Sequence, residues 1–191
     1  MKKINFNDRY GLTDAVIEWR KTMTRRLIPD EFFGLTWDTR GNTLVYENEY
    51  GDFIDVRHSK YTRYKLGEVV AVSQCYNDVV QEFTDLAFVP GSTNKMFVRA
   101  DLMPHQIRIT GIKCEQLQSI SHDDCFREGI IESWYESTDT TTYGFVDEKK
   151  GTAVEFDTPR KAFAALIDKV SGRGTWDRNP WVVVYEFELV K

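Results

Sequence analysis

The chain has 191 residues, of which 41% are hydrophobic and 29% charged, with a net charge of −5. That profile suits an ordinary globular protein with material for one substantial core and little for a second, so residues 1–191 are predicted to form a single domain. No uncharged stretch reaches the length of a membrane span, residues 1–8 hold no apolar run of the kind a secretory leader needs, and Cys75, Cys114 and Cys125 are too few and too scattered for a disulfide framework. A cytoplasmic protein with no membrane partner, no metal and no cofactor is the expectation, since His58, His105 and His122 also lack ligand spacing.

In chain order, residues 4–6 can open a strand. Residues 11–19 place Leu12, Ala15, Val16 and Trp19 on one stripe, which predicts a helix. Residues 20–26 follow with four cations and no anion, at or just beyond the end of that helix, where positive charge complements the dipole. Pro29 closes the unit. Residues 32–66 read as a β-meander with turns around Gly41 and Gly51, and their last part, residues 57–65, interleaves cations with aromatics. Residues 69–72 form an unbroken apolar run, as a buried central strand would. Further strands are predicted over residues 95–100 and 106–117. A capping box at Ser121 starts a short helix that Gly129 ends. Residues 132–151 are polar, acidic and threonine-rich without period, and read as a loop or insertion. Thr158 and Pro159 begin another helix, with Phe163, Leu166, Ile167 and Val170 as its apolar face and Gly172 as its end. Residues 181–190 make a closing strand. The sum is an α+β domain built round an open, barrel-like sheet.

Three segments carry more chemistry than a scaffold requires. In the first, Lys21 and Thr24 are three apart, so they share a face if the segment is helical. Arg20, Arg25 and Arg26 crowd Lys21 and should lower its pKa, which would let it take the proton of a threonine hydroxyl. The alternative is a basic helix end facing solvent or phosphate. In the second, Gln74 leaves the 69–72 strand with a donor and an acceptor suited to a base edge, or the strand simply reaches the surface. Cys75 beside it reads as a small packing residue. In the third, Trp176 and Trp181 flank a turn, where an indole can stack on a base or cover the core. Charge is also unevenly placed: residues 115–157 hold 11 acidic and 3 basic side chains, a local balance of −8, which opposes bulk duplex binding but permits a local basic cleft.

Together these segments resemble the ASCH domain family of the PUA-like superfamily, in its longer phage and bacteroidete type. The likeness rests on residues 15–18 running into Lys21-Thr22-Met23-Thr24-Arg25-Arg26, then residues 67–72, 96–98, 103–109, 117–130 and 163–181. Residues 32–62 and 132–157 stand as elaborations. The resemblance implies a small β-barrel of mostly antiparallel strands with peripheral helices, and a cleft beside the lysine–threonine motif. It implies a protein that binds RNA, other single-stranded nucleic acid or a nucleotide beside Lys21 and Thr24; on the residues themselves, Lys21, Arg25 or Arg26 and Arg108 would then hold phosphate, Gln74 would read a base edge and Trp176 would stack on the ligand. A few small relatives hydrolyse N4-acetylcytidine with a lysine, a threonine and a glutamate. Lys21 and Thr24 match the first two, whereas the position expected for the glutamate is Gln74, and an amide cannot act as a general acid. Trp19 also departs from the small residue common there. Binding is therefore the first expectation, an amidohydrolase acting on a modified nucleoside the second, and a phage or mobile-element accessory that docks a basic partner through its acidic region the third.

Overall fold

The computed structural model describes residues 1–29, 34–59, 61–79 and 89–190. Among them the strands are β1 (Lys3–Ile4), β2 (Met23–Leu27), β3 (Thr36–Asp38), β4 (Thr43–Glu47), β5 (Phe53–Asp55), β6 (Val69–Val72), β7 (Gln106–Gln116), β8 (Ile131–Tyr135), β9 (Thr140–Asp147), β10 (Thr152–Phe156) and β11 (Trp181–Leu189). The α-helices are α1 (Leu12–Ile17), α2 (Tyr76–Val79), α3 (His122–Arg127), α4 (Pro159–Ser171) and α5 (Thr175–Arg178). The architecture is mixed α+β and rich in sheet. The described strands form three open sheets and no closed barrel, which corrects the barrel-like expectation.

The central sheet has the order β1-β6-β7-β11-β2. Only β1 and β6 run parallel; the other pairs are antiparallel. β6 is buried along Val70, Ala71 and Val72, as its unbroken apolar run requires. β11 alternates less than a half-exposed strand would: Val182, Val183, Val184 and Tyr185 are all buried, and β7 and β2 flank the strand. A register shift at Glu186/Phe187 bends it. β3, β4 and β5 form the expected meander; Phe33, placed at its start from sequence, and Lys60 lie outside the described residues.

Two segments differ from the sequence reading. Residues 131–156 form the three-stranded sheet β10-β9-β8 instead of a loop. Its outer strands are mostly exposed on both faces, so they carry no apolar alternation. Gly144 admits a close approach of the β10 backbone, since a Cβ there would lie 2.1 Å from the Val154 carbonyl oxygen. Residues 95–100 hold no strand. Lys95–Phe97 and Ala100–Leu102 are 3₁₀ turns, the first capped by the Asn94 side chain.

α4 behaves as its sequence dictates. The Thr158 hydroxyl caps Lys161 N–H, Pro159 occupies the first helical position, and Phe163, Leu166 and Ile167 are buried. No helix of the described residues is long and apolar enough to cross a membrane.

Candidate functional site

The cationic segment starts just beyond the end of α1, as expected, but it passes into a strand rather than the helical turn that would put Lys21 and Thr24 on one face. α1 stops at Ile17, and Trp19 turns the chain with a left-handed φ of 63° while its indole stays exposed. Arg20 and Lys21 N–H both reach back to the Ala15 carbonyl at 2.8 Å. Thr22 N–H is then held by the Arg127 carbonyl, and Thr22 in turn accepts from Phe187 N–H. From Met23 the chain is β2, which among the described residues is a sheet edge paired with β11 alone, in register Thr24 to Tyr185 and Arg25 to Val184.

Lys21, Thr24, Arg25 and Arg26 nevertheless line one cleft of about 300 Å³. Phe163, Leu166, Ile167 and Val170 of α4 form its apolar side, and residues 5–7 with Leu12 complete it. Glu128, just past the end of α3, lines it as well.

Lys21 is 2% exposed, and its ammonium donates to Glu128 Oε2 at 2.6 Å and to the Glu128 carbonyl at 2.7 Å. The geometry depends on Gly129, whose φ of +104° ends the helix; a Cβ there would meet Leu12 Cδ2 at 3.1 Å and Lys21 Cδ at 3.8 Å. Burial pushes the Lys21 pKa down, Glu128 opposes it, and Arg26 and Arg25 add to the lowering. The direction is the one expected from sequence. Its main cause is desolvation, with like charge secondary.

Thr24 is 5% exposed, and its side chain lines the cleft. Arg25 is fully committed. Its guanidinium binds Glu115 Oε1 at 2.7 Å, Asp124 Oδ2 at 2.8 Å and Glu128 Oε1 at 3.0 Å. Burial works to lower its pKa, but Glu128 and Glu115 outweigh burial and raise it. Arg25 therefore neutralises the carboxylates around Lys21, and its donors are already spent on them. Part of the acidic 115–157 region is satisfied inside the molecule in this way, as is Asp147 by Arg9. Arg26 differs: it donates to the Asn5 carbonyl at 2.7 Å and has no carboxylate within 4.0 Å among the described residues. Burial pushes its pKa down.

The other sequence candidates lie elsewhere. Gln74 does not line this cleft; its Oε1 sits 2.7 Å from His105 Nδ1, because the strand it leaves is separated from β2 by β7 and β11. Arg108 is exposed on β7 and faces Glu188 at 3.6 Å. Trp176 packs edge-on against Phe163, with the Arg160 guanidinium 5.1 Å from its ring, and Trp181 stacks on Trp37. Both tryptophans are engaged by protein neighbours. Burial pushes the Cys114 and Cys125 thiols up to about 12 and raises that of Cys75, which disfavours their thiolates.

Sequence reasoning missed Glu128. One signal existed, since an acidic side chain at a helix C-terminus opposes the dipole and needs another reason to be there. Neither a protein-family model, nor a curated protein, nor a solved structure matches this chain.

Proposed function

We propose that the chain hydrolyses an amide of a small acylated substrate, with Thr24 as nucleophile and the Lys21–Glu128 pair moving the proton. The ASCH and PUA-like resemblance supplies the substrate class, an N4-acylated cytidine. The observation that carries the reading is a buried Lys21–Glu128 pair lining the same cleft as Thr24.

In this scheme the Thr24 oxygen attacks the amide carbonyl carbon. Its proton passes to Lys21 as the ammonium proton shared with Glu128 moves onto the carboxylate. The C–N bond breaks, and the leaving amine takes that proton. Water then cleaves the Thr24 ester by the same route in reverse, releasing the carboxylic acid. Glu128 fills the acid role that Gln74 could not, and the reading no longer leans on the amide. The Arg25 cluster holds Glu128 in place.

Binding of single-stranded RNA at this cleft is the second reading, favoured by Arg26, which keeps donors uncommitted to carboxylate. Acetylated cytidine incubated with wild type and with Thr24→Ala separates the two. Release of acetate that Thr24→Ala abolishes supports hydrolysis; no release from wild type, with salt-sensitive RNA binding instead, supports the second.

A further inference from the structure

A second hollow of about 410 Å³ adjoins the cleft, sharing Asn5, Arg26 and Leu27 with it. Its other walls are Pro29, Arg63 and the tyrosines 61, 64 and 185. Charge distinguishes the two spaces. The cleft sets Glu128 among its cations, whereas the hollow has two guanidiniums, Arg26 and Arg63, and no acidic lining residue among those described. Glu68, on the same flank, is taken by Lys2 at 3.1 Å. Arg63 lies over the Tyr64 ring at 5.6 Å and has no ion pair among the described residues. The Tyr64 hydroxyl donates to the Lys3 carbonyl, which fixes that wall.

Two like charges facing one hollow repel, and Arg63 is among the groups that lower the Arg26 pKa. An oxyanion would reverse that penalty and could accept from both guanidiniums, which suit phosphate geometry. We infer that the hollow holds a phosphate carried by the substrate, so that the ligand spanning both spaces is an acylated nucleotide with its amide at Thr24 and its phosphate between Arg26 and Arg63. This inference rests on the hydrolytic reading for the amide end alone; the phosphate end can be tested without turnover.

The experiment measures binding of cytidine 5′-monophosphate and of cytidine to the wild-type chain and to Arg63→Ala, at low and high salt. Arg63 is exposed, so its replacement should leave the melting temperature unchanged. Wild type should prefer the monophosphate by about tenfold or more, with inorganic phosphate competing, and Arg63→Ala should lose most of that preference. In parallel, acetylated cytidine and its 5′-monophosphate are compared as substrates, where the phosphate should lower KM more than it changes kcat. Equal affinity for the two ligands, or a preference that survives Arg63→Ala, overturns the inference even if acetylcytidine is hydrolysed. A preference lost in Arg63→Ala with no turnover of either substrate upholds the phosphate site and removes the hydrolytic reading. Arg63-dependent binding of an RNA oligomer without binding of the monophosphate also overturns it.

Discussion

Replacing Glu128 with glutamine would leave a hydrogen-bond acceptor beside Lys21 and remove the charge that compensates it. The ammonium is enclosed, and its two hydrogen bonds among the described residues both go to Glu128, one to the side chain and one to the backbone carbonyl. Arg25 would keep Glu115 and Asp124, so the loss falls mainly on Lys21. Breaking a buried pair on one side costs roughly 3–5 kcal/mol. The lysine can escape by losing its proton, and from an ordinary pKa near 10.4 that costs about 4.6 kcal/mol at pH 7, which sets a ceiling. With the backbone acceptor retained, the expected loss is about 3 kcal/mol at pH 7, or roughly 6–12 °C in melting temperature for a chain of this length.

The pH dependence has a definite sign. In the variant the folded state binds fewer protons than the unfolded state wherever Lys21 is neutral only when folded. Stability then rises with pH between its lowered folded pKa and about 10.4, by about 1.4 kcal/mol per pH unit. Urea unfolding followed by tryptophan fluorescence at pH 7 and pH 9 should therefore show the deficit against wild type shrinking. A deficit under about 1 kcal/mol, or one that does not change with pH, would refute the claim that Glu128 compensates a buried charge. Lys21→Met in the same background should recover part of the loss, because no ammonium is then left to compensate.

Gln74→Ala should leave turnover within about twofold of wild type, because Gln74 pairs with His105 outside the cleft; a large loss in kcat would return Gln74 to the active site. Gly144→Ala should destabilise by at least roughly 2 kcal/mol, since the new methyl meets the Val154 carbonyl, and hydrogen exchange should quicken first along β9 and β10. Thr158→Ala should cost about 1 kcal/mol by removing the α4 cap, read by thermal melting, with no change in ligand affinity.

Elements with a strong local signal were legible in the sequence. The Thr158-Pro159 start and Gly172 end of α4, the apolar run of β6 and the aromatic β-branched β11 each reflect one physical rule acting over the whole segment. The 131–156 sheet was not legible, because strands solvated on both faces need no alternation and their threonines and glutamates also suit a loop. The Met96–Val98 run misled in the opposite way: Met96 and Phe97 are exposed on a 3₁₀ turn, so apolar character there reports no strand.

The site was legible in part. Lys21, Thr24, Arg25 and Arg26 do share a cleft, though by passing from a turn into an edge strand rather than along a helix face. Arg25 looked like a phosphate ligand because its partners, Glu115, Asp124 and Glu128, are about a hundred residues away in sequence. Composition placed acid in that region but could not say that it turns inward. Glu128 was marked only by an acid placed at the unfavourable end of its helix dipole, a signal weaker than the Ser121 capping box at the other end.

The central claim is that Thr24 forms a covalent bond to the acyl group while Lys21 and Glu128 carry the proton. Rapid quenching of the wild-type chain with acetylated cytidine, followed by peptide mass analysis, tests it most directly. The expected result is an acetyl group on the peptide containing Thr24 that appears during turnover, decays as substrate is exhausted and is absent from Thr24→Ala. Turnover that proceeds without the adduct and persists in Thr24→Ala would contradict it.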